Sequence, residues 1–163
     1  MLPTDLTVSA IVTRDDQFLI IEERASGSIV INQPGGHIEA GESPKQATER
    51  EALEESGCTI LVNGLLSVYL WIHPQSRQNF LRIAYTANLL SIDTERTLDD
   101  GIVAKHWYSI ADIRRRKKDL QTPMVMRSVE DYLAGRRQPE SILSNALSVQ
   151  QNLDQVLANA ALA

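Results

Sequence analysis

Three glutamates near the first third of the chain have the type and the spacing to bind a divalent metal. Glu51, Glu54 and Glu55 occupy positions i, i+3 and i+4 of a predicted helix, so their carboxylates lie on one face. Like charges so close destabilise an unliganded helix by roughly 0.2–0.5 kcal/mol per neighbouring pair. A hard cation reverses this cost, and carboxylate oxygen is the ligand type that Mg²⁺ and Mn²⁺ prefer. The pattern therefore predicts a site that holds divalent metal against phosphate.

The residues around these glutamates disfavour the simpler interpretation, an exposed acidic helix. Glu42 lies in the turn before the helix, and Arg50 can orient a carboxylate through a forked pair of hydrogen bonds. Gly35 and Gly36 allow the backbone to approach a ligand closely, and the Gly36 carbonyl is a further candidate metal ligand. These residues and the three glutamates are arranged together around one predicted helix, which favours a binding site over a solvated helix face.

Local signals define both ends of this helix. Ser43 is a good N-cap, Pro44 suits the first helical position, and Gln46 completes a capping box with Ser43. Gly57 is the expected C-terminal stop. The sequence therefore predicts a helix over residues 44–56.

Strand patterns precede and follow the helix. Alternation and β-branched residues predict a hairpin of strands 7–12 and 18–21, joined by a turn at Asp15-Asp16. Further strands are predicted over 29–31, 59–63, 65–72, 79–90 and 103–108, and further helices over 110–118 and 124–134. Residues 1–139 form the expected domain. Residues 140–163 form an expected helical tail, which packs on the domain, pairs with a second subunit, or frays.

Length and composition describe an ordinary globular protein. The 163 residues carry 43% hydrophobic and 23% charged side chains, with a net charge of −5. The acidic balance disfavours nucleic acid and membrane surfaces as partners, and no stretch approaches the length of a membrane span. A single cysteine fits a reducing cytoplasm. We expect a small-molecule partner, and the chain to be either a monomer or a homodimer.

The stretch from Gly36 to Cys58 resembles the signature of the Nudix hydrolases, G-x5-E-x7-R-E-U-x-E-E-x-G-U, in which U is an apolar residue. The match covers every fixed position, namely Gly36, Glu42, Arg50, Glu51, Glu54, Glu55 and Gly57. The resemblance implies an α/β (α+β) fold, an α/β/α sandwich around a mixed β-sheet. It also implies an enzyme that hydrolyses a diphosphate linked to another group.

Roles follow from the resemblance position by position. Gly36, Glu51, Glu54 and Glu55 would hold the catalytic Mg²⁺ or Mn²⁺, and Arg50, Glu51 and Glu54 would be the catalytic residues. The metal would activate water and neutralise phosphate oxygens. Glu51 is one candidate for the base that accepts the water's proton. A carboxylate from a later loop is the other, and Asp99 and Asp100 are the candidates there.

Outside the signature, residues 5–140 resemble the NudJ type of Nudix phosphatase, through stretches such as Asn32-Gln33-Pro34, Trp71-Ile72 and Phe80-Leu81-Arg82. That resemblance implies release of phosphate from nucleoside tri- and diphosphates and from 4-amino-2-methyl-5-hydroxymethylpyrimidine diphosphate. Two alternatives stay open, an ADP-ribose or nucleotide-sugar pyrophosphatase and a Nudix-fold nucleotide sensor without turnover.

Several residues outside the helix are candidates for contacts with the substrate. Arginine suits bidentate recognition of phosphate, although a surface or core-edge arginine is the simpler interpretation of each one. Trp71 could stack on a ring, with core packing as the alternative. The predicted substrate-binding residues are Arg24, Gln33, His37, Arg82, Asp99 and Asp100.

Overall fold

The computed structural model describes residues 3–25 and 27–143, which form six strands, three α-helices and two short 3₁₀ turns. The strands are β1 (Thr4–Arg14), β2 (Gln17–Ala25), β3 (Ser28–Asn32), β4 (Cys58–Ile72), β5 (Asn79–Ile92) and β6 (Ile102–Tyr108). The helices are α1 (Pro44–Ser56), α2 (Ile110–Arg115) and α3 (Pro123–Leu133), and the 3₁₀ turns are Lys117–Asp119 and Glu140–Ile142.

The sheet is mixed and forks in its middle. β1 runs parallel to β5, and β4 pairs antiparallel with β5. β2 pairs antiparallel with β3 and β6, but it meets β1 only next to their shared turn, at Thr13–Phe18 and Arg14–Gln17. Beyond that point β1 and β2 diverge. The edge of β1 left open by the fork is covered by the loop that follows β3.

This loop takes the place of a strand beside β1. The amide of Val8 donates a hydrogen bond to the Gly36 carbonyl at 2.8 Å, and the amide of Ala10 donates to the Pro34 carbonyl at 2.9 Å. A polar backbone is tolerated inside the fold only when it is hydrogen-bonded. The fork thereby delivers the loop between β3 and α1 to the centre of the sheet.

Two apolar layers pack on opposite faces of the sheet. Val8, Ala10 and Val12 of β1 pack in one cluster with Ala47 and Ala52 of α1. The other cluster contains Ile11 of β1 together with residues of α2 and α3, including Ile113 and Val129. Side chains alternate across a strand, so one strand supplies both layers. The predicted α/β/α sandwich around a mixed sheet is confirmed.

The predicted helix over residues 44–56 is α1, with the predicted ends. The Ser43 side chain accepts a hydrogen bond from the Gln46 amide, and the Gln46 side chain accepts one from the Ser43 amide. At the other end Gly57 adopts a left-handed φ of 65°, and its amide donates to the Leu53 carbonyl at 2.9 Å. Lys105 Nζ from β6 donates to the Ser56 carbonyl at 2.5 Å. The helix ends are therefore satisfied by local chemistry and by long-range donors, among them this lysine.

The predicted break between strands 59–63 and 65–72 was wrong. β4 continues through Asn63-Gly64 as one strand of 15 residues, because bulges absorb the irregular pairing opposite β5. The helix predicted over 110–118 was too long, since α2 ends at Arg115 and a separate 3₁₀ turn follows.

Most of the predicted tail, from residue 144 onward, lies outside the described residues. Its first residues form the 3₁₀ turn Glu140–Ile142. Within the part of the chain that the structure describes, no helix is long and apolar enough to cross a membrane.

Candidate active site

Arg50 is the centre of a network that holds the carboxylates of α1 and the preceding loop. Its Nε donates to Glu42 Oε1 at 2.6 Å and its Nη2 to Glu42 Oε2 at 3.0 Å, a bidentate pair. Its Nη1 donates to Glu51 Oε1 and to Glu54 Oε2, each at 2.9 Å. Nη2 also donates to the His37 carbonyl at 3.0 Å. These bonds raise the pKa of Arg50 above its usual range, and Arg50 lowers the pKa of Glu42.

Glu51 and Glu55 are the buried members of the carboxylate face. Burial raises the pKa of Glu51, against the opposing effect of Arg50. The pKa of Glu55 is raised to about 8, mainly by burial. The charges of Glu51, Glu23 and Asp99 also raise this pKa. The Gly35 amide, which donates a hydrogen bond to Glu55 Oε2 at 2.7 Å, acts in the opposite direction and lowers it. The fold thus holds carboxylates together where burial and mutual repulsion disfavour their ionised form.

The two glycines of the loop let the backbone lie against these groups. A Cβ on Gly36 would lie 2.5 Å from Glu51 Oε1, so the backbone of Gly36 packs directly on that carboxylate. A Cβ on Gly35 would overlap the carbonyl oxygen of Val8 and come within 2.7 Å of the Ser9 Cα. Gly35 is therefore required for the loop to fit beside β1, and Gly36 for its contact with Glu51.

The donor set suits a divalent cation. Carboxylate and carbonyl oxygens are hard ligands, and a cation among them would remove the repulsion that raises the pKa of Glu51 and Glu55. Among the described residues, however, no three carboxylate, imidazole or thiol groups converge on one point. Arg50 Nη1 bridges Glu51 and Glu54 instead. The residues fit a metal in chemistry and in burial.

A cavity of about 610 Å³ opens beside this face. Glu55, Gly35 and Gly36 form one part of its wall, and Trp71 and Phe80 form another. The rings of Trp71 and Phe80 lie 5.5 Å apart with a tilt of 34°. The remaining lining residues are Thr7, Glu23, Ala25, Ser28, Val30, Asn32, His37, His73, Arg82, Gln121 and Thr122. The cavity therefore joins the carboxylates to an aromatic surface.

Some of the predicted substrate-binding residues meet at this cavity. Arg82 lines it and is only 6% exposed, and burial lowers the pKa of its guanidinium to about 10. His37 lines it with a largely exposed imidazole 3.9 Å from Asp5. Asp99 does not line the cavity; it lies at the end of α1, where its amide donates to the Glu54 carbonyl and its charge raises the pKa of Glu51 and Glu55.

The structure places three other predicted residues away from the cavity. Gln33 is buried on the opposite face, and its Nε2 donates to the Val125 carbonyl of α3 at 2.8 Å. Arg24 is exposed, because it follows Glu23 on β2 and side chains alternate across a strand. Asp100 is exposed in the turn before β6.

The sequence interpretation missed Glu23, Asn32 and Gln121 as cavity residues. Glu23 follows Leu19 and Ile21 at a spacing of two along β2, so strand alternation places it on the same inward face as these apolar residues. This alternation, visible in the sequence, could have identified Glu23 as an inward-facing residue. Trp71, for which core packing was the alternative, lines the cavity, whereas Tyr69 packs in the core and donates to Asp131 Oδ2 at 2.9 Å.

A larger cleft, of about 830 Å³, lies elsewhere, between the ends of β1, β4 and β5 and the residues after α3. None of the α1 carboxylates lines it, and Glu140 is its one acidic lining residue among the described positions. The chemistry of the carboxylate face therefore belongs to the smaller cavity.

The fold and the carboxylate face together define a Nudix hydrolase. The sequence profile of the NUDIX domain matches residues 3–128, and the chain belongs to this family. Phosphatase NudJ of Escherichia coli (strain K12) is 30% identical over 145 residues, which cover 89% of this chain and 94% of that protein. The protein is accordingly a hydrolase that acts on phosphorus-containing anhydrides.

Solved structures of the family agree with the fold. A NUDIX hydrolase from Nitrosomonas europaea is 41% identical, with a TM-score of 0.83 over 88% of this chain and 97% of that one. The NUDIX domain of Shewanella oneidensis NrtR, solved in complex with ADP ribose, is 18% identical, with a TM-score of 0.64 over 82% of this chain and 90% of that one. The second likeness shows the common fold alone.

Alanine at the two glycines should have different effects. In Gly35→Ala the new methyl group meets backbone atoms, so we expect a loss of about 1–3 kcal/mol in the free energy of unfolding. In Gly36→Ala it meets the side-chain carboxylate of Glu51 rather than backbone atoms, so we expect a smaller loss of stability and a strong loss of hydrolysis. Urea unfolding measures the loss of stability, and a turnover assay on the same preparations measures the loss of hydrolysis. Equal stability losses in the two variants would contradict this account of the loop.

Replacement of Glu55 should change the pH dependence of stability in metal-free protein. The pKa of Glu55 is about 8 in the fold and near 4.5 when unfolded, so the folded state binds more protons between these values. The contribution of Glu55 to the free energy of unfolding therefore falls as pH rises through this window. In Glu55→Gln, with chelator present, we expect stability relative to wild type to increase from about pH 5 to about pH 8. The exposed Glu95→Gln serves as the control, and a difference that does not vary with pH would contradict the prediction.

Proposed function

We propose that the protein is a Mg²⁺- or Mn²⁺-dependent phosphatase of small diphosphates. Its substrates would be nucleoside tri- and diphosphates and 4-amino-2-methyl-5-hydroxymethylpyrimidine diphosphate, with phosphate as the released product. The observation that carries the proposal is the carboxylate face of α1, packed on Gly36 and open to a cavity that also contains aromatic side chains. The similarity to Phosphatase NudJ along most of both chains supports the assignment as a phosphatase.

In this proposal each element of the site has a separate task. Gly36, Glu51, Glu54 and Glu55 hold the metal, which supplies Lewis-acid neutralisation of phosphate oxygens and activation of water. Arg50 and Glu42 orient the carboxylates through the network described above. Water attacks phosphorus, the anhydride P–O bond breaks, and the departing oxygen takes the bonding electrons.

Glu51 is the better-placed of the candidate bases. Its pKa is raised by burial, which increases its ability to accept the proton of the attacking water. Its Oε1 is engaged by Arg50, which keeps the carboxylate in a defined orientation. Asp99, the alternative, is exposed and contacts α1 through its backbone amide.

Glu54→Gln should separate the metal role from a structural role. The amide is the same size but carries no charge, so we expect the fold to persist and turnover to fall by about two orders of magnitude or more. The Glu54 side chain is 31% exposed, and its carboxylate accepts a hydrogen bond from Arg50. Circular dichroism and phosphate release measure the two properties, with the exposed Glu130→Gln as the control. A folded variant with a near-normal rate would exclude Glu54 from metal binding.

A product-resolved screen tests the choice of substrate. With Mg²⁺, we expect phosphate from nucleoside tri- and diphosphates and from the pyrimidine diphosphate. AMP from ADP-ribose alone would identify an ADP-ribose pyrophosphatase instead. Absence of turnover on every substrate, with nucleotide binding retained, would favour the sensor.

A further inference from the structure

The cavity is lined by buried polar atoms that have no partner within the described residues. Arg82 Nε, Thr7 Oγ1 and Thr122 Oγ1 are each inaccessible to solvent and make no hydrogen bond there, and all three residues line the cavity. Buried polar groups are nearly always paired, because leaving them unpaired costs stability. Arg82, Thr7 and Thr122 are therefore polar residues of the cavity wall whose hydrogen-bonding capacity is not used up by the described residues.

The side chains of Glu23 and Arg82 lie on either side of the Asn32 amide, where Glu23 offers a hydrogen-bond acceptor and Arg82 a donor. Asn32 Nδ2 donates to Glu23 Oε1 at 3.2 Å, and Asn32 Oδ1 accepts from Arg82 Nη1 at 3.3 Å. Gln121 Oε1 accepts from Asn32 Nδ2 at 2.6 Å and fixes the orientation of the amide. Asn32 thereby bridges the carboxylate of Glu23 and the guanidinium of Arg82.

The charges of Glu23 and Arg82 favour the neutral edge of a ring, rather than a phosphate, as the group bound between them. Glu23 lies close enough to Arg82 and to Glu55 to influence the pKa of both groups. A phosphate placed on Arg82 would be repelled by the carboxylate of Glu23. A neutral group that donates to Glu23 and accepts from Arg82 satisfies both side chains without added charge.

The aromatic side chains supply the surface for such a ring. Trp71 and Phe80 are a cross-strand pair on β4 and β5, and both line the same cavity as Glu23 and Arg82. Aromatic side chains stack on nucleobases and similar rings through their faces. The edge of a ring stacked on Trp71 and Phe80 is then free to form hydrogen bonds with Glu23 and Arg82.

Accepting the proposed function, we propose that Glu23 and Arg82 recognise the substrate's ring by its edge and select rings with an exocyclic amino group beside a ring-nitrogen acceptor. Cytosine, adenine and 4-aminopyrimidines have this edge. The amino group donates to Glu23, and the ring nitrogen accepts from Arg82. Uracil and hypoxanthine reverse the pattern, because they place a carbonyl against Glu23 and an N–H against Arg82.

Equilibrium binding of CMP and UMP tests this inference without requiring turnover. Calorimetric titration of the wild-type protein should give CMP at least a roughly tenfold lower Kd than UMP. In Glu23→Gln the side chain can donate as well as accept, so the ratio of the two Kd values should approach one. The exposed Glu95→Gln, which changes the net charge equally, should keep the wild-type ratio. Equal affinities for CMP and UMP in the wild-type protein would overturn the proposal.

Hydrolysis distinguishes recognition of the ring from a general structural role. We expect Glu23→Gln and Arg82→Lys to lower kcat/KM for CTP by a larger factor than kcat/KM for inorganic triphosphate, which has no ring. An equal loss on both substrates would show that these residues support the phosphate site instead. Preference for CMP without any hydrolysis would contradict the proposed function but keep the recognition site.

Discussion

The concentration of carboxylate on one face of α1 is the constraint on which the rest of the site depends. Glu51 and Glu55 are buried close together, and burial and repulsion both raise their pKa values. Such an arrangement persists only when neighbouring groups oppose the cost. Arg50 contributes through hydrogen bonds to Glu42, Glu51 and Glu54, and the Gly35 amide contributes through its bond to Glu55.

The fork in the sheet makes this arrangement possible. Because β1 and β2 separate after their turn, the loop from Pro34 to Gly36 can hydrogen-bond to β1. The same loop brings Gly35 and Gly36 against the carboxylates of α1. A residue with a side chain at either position would meet atoms already present. The backbone pairing and the chemistry of the site therefore depend on the same short segment.

The cavity joins two environments that suit the two halves of a phosphorylated ring compound. The α1 side is rich in carboxylates and suits metal and phosphate, whereas the β4–β5 side presents Trp71 and Phe80. Between them Asn32 organises Glu23 and Arg82. The strongly polar part of the substrate and its ring can thus be bound by different elements, so that loops and strands can change ring preference without changing the carboxylate helix.

Sequence alone determined what rests on local chemistry. The bounds of α1 follow from a capping box and a C-terminal glycine, and the shared face of Glu51, Glu54 and Glu55 follows from helical spacing. Only the tertiary structure decided which side chains beyond α1 meet that face. Gln33 turns to α3, while Asn32 and Arg82 meet in the cavity. The physical reason is that these positions depend on the fork of the sheet and on packing between distant segments, which short-range patterns do not encode.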